Sequence, residues 1–421
     1  MKFLFTKTLG AQGWLKYWSL FILMFPYYIF KPGLPQPSDL ILFVTMFVYL
    51  NKKGLYLSKS FLGHINNFRN LVAYIFAVNT ILFIVRIGMR DKDPSLITNL
   101  FYTFNFIVFA FAFSLFDSYK KEFVYTTVYS VILSGILQIL LSPWGHMSEG
   151  RETLFFDNPN QLGYYAICCL SIVLAFEKYL KLSRSIIFLS FSVFFYFTML
   201  CVSKAAIGAM LLLMLVYLAS NKLLSIKMIF TSLVVFLGVL VVLFKTSIGE
   251  KFVRNLSYRL EYSVKPNEVS EWEYRGYDRM NNHPYYMILG AGEGAYNRFT
   301  TYIDNHEMHS SLGTILFCYG IPGSILFSIF ILSLLSGLPK TYSLYILPMI
   351  AYGLVHMGLR FTIFYIALAM FPVVRELLQE EEEEAEEAEM EEVKKLSERK
   401  GIKPLWLIKE EAENAIKNRQ K

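Results

Sequence analysis

Apolar residues in this chain come in long unbroken runs. "SLFILMFPYYIF" (19–30) and "MIFTSLVVFLGVLVVLF" (228–244) carry no charge. Runs approaching the roughly 20 residues needed to cross a bilayer predict membrane helices. Lipid offers backbone groups no hydrogen-bond partners, so a spanning chain is helical or a closed barrel. Continuous rather than alternating runs argue against the barrel. The pattern predicts an all-α polytopic membrane protein with about twelve spans, near 14–30, 38–50, 70–88, 96–116, 123–142, 160–180, 185–201, 204–220, 228–245, 310–336, 341–357 and 359–375. "KPGLPQP" (31–37) is a turn between the first two. The first run lacks a small-residue cleavage site, so it is read as a retained helix.

Two segments interrupt the pattern. Residues 246–308 form a polar insertion in which "EKFVRNLSYRLEY" and "VSEWEYRGYDRMNNH" have helical spacing. A connection this long is functional more often than structureless. From Glu376 onward the chain turns glutamate-rich, with 15 acids against 9 bases. That tail, 376–421, is net −6, so residues 1–375 carry +13 of a whole-chain +7. Lys following Glu allows a solvated helix, which "GIKP" would break. The tail is assigned no chemistry.

Composition agrees with the membrane reading, at 55% hydrophobic and only 17% charged, against about 25% charged in an ordinary soluble domain. Cys168, Cys169, Cys201 and Cys318 all lie in apolar runs, without metal or disulfide spacing. They read as small packing residues.

Lys and Arg in short loops set orientation. With the N-terminus inside, the inner loops hold twelve (Lys52, Lys53, Lys59, Arg69, Lys120, Lys121, Lys178, Lys181, Arg184, Lys222, Lys227 and Lys340) and the outer short loops seven. The seven are Lys31, Arg86, Arg90, Lys92, Arg151, Lys204 and Arg360. The outer insertion adds Arg254, Arg259, Arg275, Arg279 and Arg298. A single outer Arg suits a lipid headgroup. A gathering of them suits an anionic ligand, because Arg binds phosphate bidentately and keeps its charge.

Four motifs lie on this outer side. In "RETLFFDNPNQLG" (151–163), Asp157 to Asn160 read as a helix cap followed by Pro in the first turn, while Arg151 stays unexplained by capping. In "LCVSKAAIGAM" (200–210), Ser203-Lys204 marks a reversal between two spans, and a Lys held at membrane depth points to an anionic partner. In "EYRGYDRMNNHPYYMILGAGEGAYNRF" (273–299), Arg275 and Arg279 fall on one face of a helix that His283-Pro284 ends. The GxGxG at 290–294 follows no strand of a βαβ unit, so it reads as a tight turn and not as a dinucleotide loop.

The fourth motif is "NHEMHSSLGTILFCYGIPG" (305–323). His306, Glu307 and His309 lack a third ligand at recognisable spacing, so no metal is expected. His309 either caps the helix it precedes or acts as a general base. Surrounding cations would favour its neutral form, which a base needs. Gly320 to Gly323 break the helix and act as a hinge.

In order and spacing, roughly over residues 150–325, the four motifs resemble the O-antigen polymerase and O-antigen ligase (Wzy/WaaL-type) integral-membrane glycosyltransferases. Arg151 with Pro159-Asn160 matches that family's Arg and Pro-Asn helix start. Ser203-Lys204 matches its Ser-Arg junction, with Lys for Arg. Arg275, His283-Pro284 and Gly290 to Gly294 match its long periplasmic loop, and His309-Ser310 with Gly320 to Gly323 its last motif. Residues 1–150 resemble the family only in being apolar helices, and the tail is no family feature.

The resemblance implies a GT-C-like fold in the bacterial inner membrane and a periplasmic active site. It implies transfer of a glycan from an undecaprenyl pyrophosphate donor to an acceptor hydroxyl, with inversion, no metal and no cofactor. His309 would be the base, and Arg151, Lys204, Arg275 and Arg279 would bind the pyrophosphate, supported by Glu307, His283 and Arg360. A lipid-linked repeat unit as acceptor makes a polymerase, which Lys204, "HSS" and the Phe/Tyr/Ile/Lys/Asn-rich composition favour. Lipid A–core as acceptor makes a ligase. Expected partners are the lipid-linked oligosaccharide, the bilayer and a chain-length regulator, with no nucleic acid. A lipid-linked glycan flippase is the alternative of another class, although the matched halves expected of a transporter are missing.

Overall fold

The structure is a computed structural model that describes residues 8, 10, 11, 13–30, 34–54, 56–89, 96–148, 151–221, 257, 270–301, 303 and 306–400. The expected span 228–245, the segment "EKFVRNLSYRLEY" apart from Ser257, and the "GIKP" break lie outside the described residues. By contacts the chain divides into two units, Met1–Val373 and Val374–Lys421.

The described residues are mostly helical. In chain order the helices are α1 (Trp14–Met24), α2 (Pro37–Lys53), α3 (Lys59–Gly88), α4 (Ile97–Tyr119), α5 (Lys121–Leu140), α6 (Pro159–Ala175), α7 (Arg184–Leu200) and α8 (Lys204–Ser220). Three short helices follow, α9 (Glu271–Tyr274), α10 (Asp278–Asn282) and α11 (Tyr286–Leu289). After them come α12 (Ser311–Leu335), α13 (Lys340–Ser343), α14 (Leu347–Gly353) and α15 (Thr362–Lys400). Among the described residues, five helices (α3, α4, α5, α12 and α15) are long and apolar enough to cross a membrane. Three more, α6, α7 and α8, are apolar and 17 residues long.

Several boundaries depart from expectation. The first span is shorter, because the helix ends at Met24 and Pro26 lies in the turn that follows. Residues 341–357 form no continuous span. They divide into α13, a 3₁₀ turn at Leu344–Ile346 and the seven-residue α14. Pro339 and Pro348 fix two helix starts there, since proline suits a first turn and breaks an interior. Helix α15 does not stop near residue 375. Glu, Ala and Leu are good helix formers, so it continues to Lys400. The pattern also missed a small antiparallel hairpin, β1 (His146–Ser148) with β2 (Arg151–Leu154).

Helix starts follow the caps written in the sequence. Asn158 accepts from the Gln161 amide at 3.0 Å with Pro159 next, as expected. Ser203 caps α8, and Ser310 caps α12 by accepting from the Gly313 amide at 2.9 Å. Each such cap is worth about 1 kcal/mol. Gln36 organises the first turn, its side-chain oxygen accepting from the Ile29 and Phe30 amides.

The phenylalanine content is spent on helix packing. Phe68 of α3 stacks on Phe330 of α12 at 4.5 Å and on Tyr365 of α15 at 4.9 Å. Phe61 stacks on Phe113 of α4 at 4.3 Å. Offset aromatic pairs add about 0.5–1.5 kcal/mol beyond their buried area. Polar residues inside these helices pair with one another. Trp18 donates to Thr127 at 2.9 Å, and Asn79 donates to Asn99 at 2.9 Å.

Helix α12 is broken where Gly320-Ile321-Pro322-Gly323 predicts. Gly320 sits at φ 65° and ψ −166°. Pro322 has no N–H, so the Cys318 carbonyl four residues earlier loses its helical donor. The glycine-rich turn supplies the replacement. Gly292 N–H donates to Cys318 O at 2.7 Å, and Ala291 N–H donates to Phe317 O at 3.0 Å. The approach is backbone to backbone. A Cβ on Gly290 would lie 2.4 Å from Cys318 O, and one on Gly320 would lie 2.7 Å from Gly290 N. Arg298 ties the other side of the turn, donating to the carbonyls of Ala291 and Gly292.

Candidate functional site

Two polar clusters lie where this docked turn, the stretch before α12 and the loop 354–361 meet. The first surrounds His309. Its backbone N–H donates to Arg275 O at 3.1 Å, and its ring lies 6.0 Å from that of Tyr274. The Nδ1 atom is buried and has no hydrogen-bond partner among the described residues. Burial lowers the imidazole pKa from its ordinary value, and the charges of Arg275, His306 and Arg279 lower it further. Both causes disfavour imidazolium.

Arg275 and Arg279 do not share a helix face, contrary to the spacing argument. Gly276 sits at φ 78°, with no room for a side chain beside Ile303, and separates α9 from α10. The two guanidiniums therefore do different things. Arg275 donates to the Val355 carbonyl and pairs with Glu271 at 3.0 Å. Arg279 is fully buried, donates to His306 O at 2.6 Å and lies over the rings of Tyr296 and Phe299. That bond ties Arg279 to the backbone three residues before His309.

The loop 354–361 closes the other side. Ser311 donates to His356 O through both its amide and its hydroxyl. The His356 Nε2 lies 3.5 Å from Ser203 Oγ, and its ring packs on Tyr352 at 4.6 Å. Tyr352 in turn donates to Asn160 O at 2.9 Å. The motif at 157–160, the Ser203 junction and the start of α12 are thus joined through residues 352–356. Arg151, at the start of β2, lies within electrostatic reach of Tyr352. Lys204 is the first residue of α8 and is exposed. His283 caps the end of α10 and joins an aromatic group, with Tyr285 OH at 3.3 Å and the Phe299 ring at 5.4 Å.

The second cluster centres on Glu293, which is 1% exposed. One carboxylate oxygen accepts from Tyr102 OH at 2.6 Å and from Tyr319 OH at 2.5 Å. The other faces Arg360 Nε at 3.7 Å. Its backbone N–H donates to Asn79 Oδ1 at 2.8 Å. Arg360 also pairs with Glu307, two residues before His309. Glu293, Tyr102, Tyr319, Asn79 and His356 were missed as site residues. Asn79, Glu293 and His356 are isolated polar groups in apolar or glycine-rich surroundings, and that is the signal that could have found them.

Among the described residues no group of three His, Cys, Asp or Glu side chains is placed to hold a metal ion. Fold and site together define an α-helical chain with helices able to cross a membrane and a cationic, histidine-bearing site on loops between them. No protein-family model matches this chain, and no curated protein matches it.

Proposed function

We propose that this chain is a bacterial inner-membrane glycosyltransferase of the O-antigen polymerase type. It would have a GT-C-like fold with the polar insertion facing the periplasm. The donor is a glycan on undecaprenyl pyrophosphate and the acceptor is a lipid-linked repeat unit. The observation that carries the reading is His309: a half-buried imidazole whose Nδ1 has no hydrogen-bond partner among the described residues and whose pKa its surroundings lower, among arginines.

In the reaction the acceptor oxygen attacks the anomeric carbon from the face opposite the leaving group. The new C–O bond forms as the bond to pyrophosphate breaks, and that electron pair departs on the pyrophosphate oxygen. His309 takes the acceptor hydroxyl proton. Arg275, Arg151 and Arg360 stabilise the charge developing on the leaving group. Arg279 is buried, so its part is to hold His306 and the base loop. Lys204 is exposed and meets the donor as a point charge, without the planar fork of Arg.

The test is purified protein in lipid with lipid-linked repeat units. Longer glycans and free undecaprenyl pyrophosphate are expected, and His309→Ala should lower the rate by about 10²–10⁴-fold. Full activity in a folded His309→Ala protein removes the base assignment. Transfer only when lipid A–core is supplied makes the chain a ligase. Translocation across vesicles without glycan growth makes it a flippase.

A further inference from the structure

Arg360 carries two carboxylates, and they are not equivalent. Glu293 is buried, with its second oxygen held by two tyrosine hydroxyls and its amide held by Asn79. These partners come from α3, α4 and α12: Tyr102 and Tyr319 fix the carboxylate, and Asn79 fixes the backbone beside it. Glu307 is 41% exposed and lies on the short stretch leading to His309. A guanidinium has five donors in a rigid fork and can serve a fixed partner on one edge and an exchangeable one on another. A diphosphate approaching from solvent competes with the solvated Glu307, not with the buried Glu293.

We infer that Glu293 is the positioning residue for Arg360. It holds the Nε of the guanidinium toward the protein so that Nη2, which Glu307 occupies, is presented to a pyrophosphate group. Glu307 is then the anion that pyrophosphate displaces. The inference rests on the reading of this site as a pyrophosphate-binding one. Neutralising each acid separates their roles. Glu293→Gln keeps an acceptor for both tyrosines and removes the charge that orients Arg360. Glu307→Gln removes the competitor.

The experiment uses the full chain in lipid nanodiscs, with inorganic pyrophosphate as the probe and calorimetric titration as the readout. Glu293→Gln should weaken binding by about tenfold or more, the scale of one lost charge-assisted contact, and Glu307→Gln should tighten it. Unchanged affinity in Glu293→Gln, or equal weakening in both Glu→Gln variants, overturns the positioning role. If Glu293→Gln does not fold, Arg360→Lys makes the same test, because a point charge cannot serve both acids as a fork does. Wild-type affinity in that variant overturns the inference. No binding by the unsubstituted protein overturns the pyrophosphate reading itself, and the inference with it.

Discussion

His309 and Arg275 are coupled through charge, and the coupling has a sign. The imidazole pKa is lowered first by burial and then by Arg275, His306 and Arg279. A base works only when neutral, so activity falls as pH drops through the folded-state pKa. The acid limb of the kcat/KM profile should therefore lie below the ordinary imidazole value of about 6.5. Arg275→Gln removes one of the lowering charges, so the limb should move up toward that value. A pH series on the two proteins measures both midpoints. A limb in Arg275→Gln that stays put or moves lower contradicts the coupling. His309 was legible as a candidate because a histidine opening an apolar helix is conspicuous. Its neutral state was expected from nearby cations, and burial turns out to be the larger cause. Glu293 was not legible. Its hydroxyl partners come from Tyr102 and Tyr319, and the first is 191 residues away in sequence.

At the scale of elements, the break in α12 and the glycine-rich turn are one structure. The break was visible in Gly320-Ile321-Pro322-Gly323, because proline and glycine act locally on the backbone. The turn at 290–294 was visible for the same reason. That the two dock was not visible, because hydrogen bonds between distant backbone groups leave no mark on side-chain pattern. The same limit explains residues 341–357, which are apolar enough to read as a span and yet fold as short pieces. It also explains Arg275 and Arg279, where spacing of four suggested one face and Gly276 at positive φ separated them. The docking makes a stability prediction. Gly320→Ala places a Cβ against the backbone of Leu289 and Gly290, in a conformation L residues avoid, and should cost more than about 2 kcal/mol. Gly63→Ala lies inside α3 with nothing within 4 Å of the added Cβ. It should be neutral, or stabilising by up to about 1 kcal/mol. Thermal unfolding of the purified proteins ranks them. Equal midpoints would show that the turn does not press on the broken helix.

Across the whole molecule, orientation decides whether the site can meet its substrate. In the orientation proposed from the lysine-rich loops 52–59 and 120–121, those loops lie in the cytoplasm and the site around His309 faces the opposite side. All four cysteines are buried, so the unsubstituted protein should react slowly with a maleimide. Single cysteines at exposed positions then report the side. Lys52 lies in the last turn of α2 and Thr300 lies between the glycine-rich turn and His309, and both are exposed. With a membrane-impermeant maleimide on cells whose outer membrane is permeabilised, Thr300→Cys should label at once. Lys52→Cys should label only after the inner membrane is opened. The reverse pattern would put His309, Arg275 and Arg360 in the cytoplasm, away from periplasmic lipid-linked glycans, and would remove the polymerase reading whatever the site geometry. Labelling of both positions without opening the inner membrane would mean that they share a face. An odd number of crossings between them would then be excluded, and with it the twelve-span arrangement on which the periplasmic placement of the insertion depends.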